Sequence, residues 1–137
     1  MTNDVPGAKD QAPVLIVDDE PDMCWALGHI LRGHGIRSVA ASTGHQALRL
    51  AETFRFRLAF IDAKLPDAEG IELARSIQGV EPGIRIVLVS GYFYHDDPEV
   101  LRASDAGIIA GFVGKPFLHE EILAVARSAL AGASDAD

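Results

Sequence analysis

Asp18 and Asp19 follow four apolar residues without a break in VLIVDDEPDM, and Glu20 adds a third acid at once. Crowded carboxylates repel one another, and removing them from water is costly unless positive charge sits among them. Three more polar residues stand in the same relation to an apolar run: Asp62 closes RLAFID, Ser90 closes IRIVLVS, and Lys115 follows IIAGFVG. Two or three carboxylates with a few waters make an all-oxygen octahedron, the preference of Mg2+. Such an ion neutralises the oxygens of an incoming phosphoryl group and eases attack by a carboxylate. A lysine and a hydroxyl nearby would hold the remaining oxygens, and the product would be an aspartyl phosphate. Singly, each residue has an ordinary explanation: an Asp or Ser-Gly at a strand end forms turns, and a lone lysine is solvated. Their recurrence at four of the five strand exits is what points to a site.

That chemistry needs a scaffold that gathers the exits. PVLIVD, IRSVAA, RLAFID, IRIVLVS and IIAGFV read as five strands, the first a short apolar run of the kind covered on both faces. Helices alternate with them. Pro21 opens the first, with Met23, Leu27, Ile30 and Leu31 inward and GHG at 33–35 as its stop. Ser42 or Thr43 caps a second, whose inner face carries Ala47, Leu50, Ala51 and Phe54. Ile71, Leu73, Ala74 and Ile77 mark a third up to Gly79, and Pro98 opens a short fourth through about Asp105. Ile122, Val125, Ala126, Ala129 and Leu130 mark the last. Strict alternation implies an α/β fold, a parallel sheet with helices on both faces. Ligands of open parallel sheets bind beyond the carboxyl ends of the strands, where strand order reverses. Alternation alone permits several orders; under 2-1-3-4-5 the three aspartates converge from neighbouring strands.

The chain's 137 residues fit one domain, with residues 1–12 read as a flexible arm, 13–131 as the domain and 132–137 as a tail. A net charge of −8, with three lysines among twelve basic residues, argues against direct binding to nucleic acid or an anionic membrane. Cys24 is the single cysteine, falls within an apolar pattern, and reads as a packed thiol. The opening MTNDVPGAKDQ lacks the apolar stretch of a secretory signal, and no run reaches the length of a spanning helix, so a cytoplasmic protein is expected. His29 and His34 are five apart, off one helical face, and read as solvated side chains.

From about residue 13 to 130 the chain resembles the receiver domain of bacterial two-component response regulators. VDDE, FIDAKLPDAEG with Asp62, Pro66 and Gly70 in step, VLVSGY and GFVGKPF carry the resemblance, in that order. It implies the flavodoxin-like order 2-1-3-4-5. It also implies that Asp62 is the phosphoacceptor, and that Mg2+ or Mn2+ is held by Asp19, Asp62 and the Lys64 backbone carbonyl, with Asp18 acting largely through water. Lys115 would pair with the phosphoryl group, its bond to Pro116 cis, and Ser90 would close its hydroxyl on a phosphoryl oxygen. Phe112 takes the position of the switch aromatic. Lys64 and Tyr92 take the positions that tune phosphoryl lifetime.

The implied function is a phosphorylation-activated switch, loaded by a sensor histidine kinase or a histidine phosphotransfer protein. It would be read by an effector protein, by an output domain beyond these residues, or through phosphorylation-dependent homodimerisation. Three features depart from the family pattern. Phe112 lacks the hydroxyl of the tyrosine common there, Leu118 stands where a capping Ser or Asp is frequent, and YFYHDD lengthens the interval between Ser90 and Lys115. Three other functions compete. A carboxylate- and magnesium-dependent phosphatase would carry a second acid two residues past its nucleophile, where this chain has Lys64. A receiver-like interaction module would never be phosphorylated. A nucleotide or flavin module would need a Gly- or Ser/Thr-rich loop where DDEPDM stands.

Overall fold

The computed structural model describes residues 13–93 and 96–135; Tyr94 and His95 of the aromatic run, and the arm at 1–12, lie outside them. The elements alternate as expected: β1 (Val14–Val17), α1 (Pro21–Arg32), β2 (Ser38–Ala41), α2 (Gly44–Thr53), β3 (Leu58–Asp62), α3 (Gly70–Val80), β4 (Arg85–Ser90), α4 (Pro98–Asp105), β5 (Gly111–Gly114) and α5 (His119–Asp135). All five strands are parallel, in the order β2-β1-β3-β4-β5.

The two-residue period of a strand divides the core. Leu15, Val17, Ala59, Ile61, Ile86 and Leu88 face α2, α3 and α4, packing with Ala47, Ala74, Ile77 and Ala103. Val14, Ile16, Leu58, Phe60, Val87 and Val89 face α1 and α5, packing with Leu27, Leu31, Ile122 and Ala126. Each fully buried side chain of this size is worth roughly 1.5–3 kcal/mol. The central strands are therefore fixed on both sides, and what projects from their ends is fixed with them.

Local chemistry sets the helix ends. Pro21 begins α1, and Gly35, in the left-handed region at φ 78°, ends it while the Ile36 N–H turns back to the Leu31 carbonyl at 2.9 Å. Thr43 is the cap of α2: its hydroxyl accepts from the Gln46 N–H at 3.0 Å, and the Gln46 side chain accepts from the Ser42 N–H at 2.9 Å. At α5 the missing Ser or Asp cap is replaced from inside the helix, where the Glu121 carboxylate accepts the Leu118 N–H at 2.7 Å.

Three expectations need correction. Strand β5 begins at Gly111 rather than Ile108, because Gly107 turns at φ 77° and the Ile108 N–H is still tied to the Ala103 carbonyl at 2.8 Å. Ile108 and Ile109 are buried all the same, as the plug between α4 and the sheet. Phe54 is half-exposed, because the backbone leaves the helix there and Phe56, two residues on, enters the core. Helix α5 continues to Asp135, so 132–135 is helical rather than tail; the alanines before and within it favour helix and no proline stops it.

Candidate functional site

The β1–β3 register pairs Val17 with Ile61, so Asp18 and Asp62 leave the sheet side by side. Strand β4 pairs Val89 with Asp62, and β5 pairs Gly114 with Ser90, which brings Ser90 and Lys115 to the same edge. Two backbone bonds lock this edge: Ala63 N–H to the Val89 carbonyl at 2.9 Å, and Lys115 N–H to the Ser90 carbonyl at 2.8 Å. Asp18, Asp62 and Ser90 are the buried polar side chains of the described residues, and all three stand here.

Carboxylate oxygens of Asp18, Asp19 and Asp62 lie within 4.8 Å of one another. Asp18 and Asp62 are buried and Asp19 is exposed. The Lys115 ammonium sits among them, 3.1 Å from Asp18 Oδ2, 3.4 Å from Asp62 Oδ2 and 3.4 Å from Glu20 Oε1. Burial and the charge of Asp18 push the Asp62 carboxyl above its ordinary pKa, against the pull of Lys115. For Lys115, burial pulls the ammonium down, but the hydrogen bond and charge of Asp18, with Asp62 and Glu20, more than offset it and the net shift is upward. One ammonium in contact with three carboxylates, with Asp19 a fourth acid beside them, leaves the cluster strongly negative. A hard divalent cation fits this donor set, since all the acids offer oxygen and the unrelieved repulsion on Asp62 is what such an ion removes.

The remaining predicted residues surround the acids. Lys64 is held above the β3–α3 loop by an ion pair with Glu69 at 3.1 Å and lies 5.9 Å from the centre of the exposed Tyr92 ring. The Ser90 hydroxyl accepts the N–H groups of Tyr92 and Phe93, both at 2.8 Å. Phe112 is half-buried and lines a cleft with Ser90, Phe93, Lys115 and Val125. The Lys115–Pro116 peptide is cis. Cys24 is half-buried, its thiol donates to the Asp18 carbonyl at 3.3 Å, and burial with the Asp18 charge pushes its pKa up, so it stays a thiol.

Three contacts were not legible in the sequence. Glu20 gives Lys115 a third partner, although VDDE shows only that it is an acid. Asp67 crosses from the β3–α3 loop to the start of α2 and accepts the N–H groups of Gly44 at 2.8 Å and His45 at 3.0 Å. Those two bonds hold its carboxyl below the ordinary range. Gly70 carries the tightest packing of the loop. A Cβ there would collide with the Asp62 carbonyl and lie 2.8 Å from Ala63 Cα, both backbone atoms that cannot swing aside. Gly70→Ala is therefore expected to cost about 1–3 kcal/mol in denaturant melts, and to displace Asp62 as well.

The family model for the response regulator receiver domain matches residues 14–127. The chain is a receiver domain of the response-regulator family. Among curated relatives, it is 36% identical over 117 residues to the transcriptional regulatory protein KdpE of Mycobacterium tuberculosis, covering 85% of this chain and 50% of that one. It is 28% identical over 109 residues to sporulation initiation phosphotransferase F of Bacillus subtilis, covering 80% of this chain and 86% of the relative. A solved CheY-like receiver from Methanospirillum hungatei superposes with a TM-score of 0.84 at 28% identity, covering 91% of this chain and 98% of that one. The receiver thus spans about half the length of relatives such as KdpE. Membership places it among signalling regulators rather than metabolic enzymes. Among the described residues, no helix is long and apolar enough to cross a membrane.

Proposed function

We propose that this receiver is a phosphorylation-activated switch in which Asp62 accepts the phosphoryl group. The observation that carries the reading is the convergence of Asp18, Asp19 and Asp62 at one edge of the sheet, with Lys115 paired to Asp18 and Asp62. An Asp62 carboxylate oxygen attacks phosphorus, the bond to the donor breaks, and an acyl phosphate remains on the side chain. A histidine kinase or a histidine phosphotransfer protein is the donor. Asp18, Asp19, Asp62 and the Lys64 carbonyl are the groups to hold Mg2+ or Mn2+. When bound, the ion supplies Lewis-acid neutralisation of the phosphoryl oxygens.

After transfer, Lys115 shifts its attention from the free carboxylates to the phosphoryl oxygens. Ser90 must release the Tyr92 and Phe93 N–H groups to turn its hydroxyl toward the new group. The segment 91–93 then loses its anchor, and the cleft shared by Phe93 and Phe112 re-forms. Phe112 has no hydroxyl, so its part is packing. The phosphoryl group thereby biases an existing equilibrium rather than building a new fold. The surface from α4 to β5 is what an effector, an attached output domain or a second copy reads.

The direct test is incubation with a small acyl phosphate and intact-mass readout. One phosphoryl adduct per chain is expected with Mg2+, and none in EDTA; an adduct that forms equally well in EDTA would remove the metal from the reading. Lifetime gives a second check. Lys64 and Tyr92 stand two residues past Asp62 and Ser90, with the Lys64 ammonium 5.9 Å from the Tyr92 ring centre, so Lys64→Ala with Tyr92→Ala is expected to change the aspartyl phosphate lifetime severalfold. Unchanged decay would strip both of that role.

A further inference from the structure

His34 and His119 are 85 positions apart and exposed, yet their Nε2 atoms are 3.5 Å apart. The ring centroids are 5.6 Å apart, at an interplanar angle of 68°. Since the centroids are farther apart than the nitrogens by about twice a ring radius, each Nε2 is the part of its ring that faces the other. Two imidazoles on one tetrahedral zinc, with Zn–N of about 2.0–2.1 Å, place their nitrogens about 3.3–3.4 Å apart. The observed spacing is close to that, and each exposed ring has to tilt by roughly 35° for the two lone pairs to meet at one tetrahedral ion.

The rings are exposed, but their backbones are not free to drift. His34 sits in the turn that ends α1, its N–H on the Leu31 carbonyl at 3.0 Å. His119 is the first residue of α5, directly after the Leu118 N–H that Glu121 holds. Helices α1 and α5 share one face of the sheet, packed through Leu27, Leu31, Ile122 and Ala126. The core therefore sets the meeting of the two imidazoles.

We propose that His34 and His119 form a bidentate site for a transition-metal dication, separate from the acid cluster. Two neutral imidazoles are borderline nitrogen donors, which favour Cu2+, Ni2+ and Zn2+ over Mg2+. No acid or thiol completes a group of three with them among the described residues, so water takes the other positions. His29 does not take part; its ring stacks on Trp25 at 4.8 Å. Because His119 lies four residues past Lys115, an ion here braces the β5–α5 connection against the end of α1.

Titration calorimetry of the whole chain with Zn2+ alone, in saturating Mg2+ to occupy the acids, tests the assignment. One equivalent is expected to bind. His34→Ala and His119→Ala should each weaken it at least tenfold, while His29→Ala and His45→Ala leave it unchanged. Both histidines are exposed, so the variants are expected to fold, and melting curves check that. Absence of zinc uptake by the parent chain, or undiminished uptake by the double variant, reduces the pair to an N–H···N hydrogen bond and overturns the proposal.

Discussion

Asp62→Asn is expected to take up no phosphoryl group from an acyl phosphate with Mg2+, a loss of at least about 10³-fold in labelling rate, since the nucleophile itself is gone. The same variant should be more stable than the parent in EDTA at neutral pH. The folded chain holds the Asp62 proton to higher pH than the unfolded chain, because burial and Asp18 disfavour the anion. Ionising it therefore costs stability. That cost is absent below the ordinary value of 3.8 and complete once pH has passed the raised folded value. Asparagine never ionises, so the variant should gain roughly 0.5–2 kcal/mol at pH 7, the usual scale for relieving strain at a functional site. The gain should shrink as the medium is acidified toward that lower limit. Urea melts across pH, in the absence of metal, measure it. Labelling at the parent rate would mean that another acid of the cluster is the acceptor. A variant that is less stable at pH 7 would mean that the Lys115 contact outweighs the burial.

The architecture was legible because the central strands are short apolar runs, imposed by burial on two faces, and the helices carry apolar stripes. Asp62 and Lys115 were legible for the related reason that a polar residue ending such a run must sit at the sheet's edge. What the pattern could not show was the order of the strands, and with it whether Asp18 and Asp62 are neighbours. The resemblance to receivers supplied that order and the register confirms it. Boundaries failed where glycine and helix-end geometry override hydrophobicity. Ile108 and Ile109 are apolar, β-branched and buried, yet they complete the turn after α4 instead of entering the ladder. Contacts across sequence were invisible altogether. Asp67 reaching Gly44, and His34 meeting His119, depend on how helices settle against the sheet, and neither partner carries a local mark of the other.

The state of Ser90 adds a constraint on switching. Its hydroxyl oxygen already accepts two backbone N–H groups, so movement toward a phosphoryl group sacrifices two hydrogen bonds of about 0.5–1.5 kcal/mol each. A charge-assisted bond to a dianion exceeds one of them and, with Lys115 drawn in as well, exceeds both. A neutral Asp62 offers no such return. The resting arrangement is thus favoured by the very bonds that the phosphoryl group has to displace.

Lys115 answers the repulsion with which the acids began, and its removal should expose how much of that repulsion is left. Lys115→Ala leaves Asp18 and Asp62 buried without a cation. Breaking a fully buried pair costs about 3–5 kcal/mol, but here protonation of Asp62 offers an escape and the Glu20 contact is exposed. A loss of roughly 1–3 kcal/mol in EDTA is therefore expected. Below the ordinary lysine value of 10.5 the parent keeps the whole of this contribution, and it is lost as the medium becomes alkaline enough to deprotonate the folded ammonium. Mg2+ should recover more stability in the variant than in the parent, because no resident ammonium competes for the same oxygens. Phosphoryl uptake should nevertheless fall by about 10- to 100-fold, since the ion cannot replace a donor aimed at the far phosphoryl oxygen. Melting in EDTA and in Mg2+, together with initial labelling rates, separates the two roles. If Mg2+ stabilises parent and variant alike, Lys115 and the metal do not share the cluster, and the acids are held apart by something other than the charge between them.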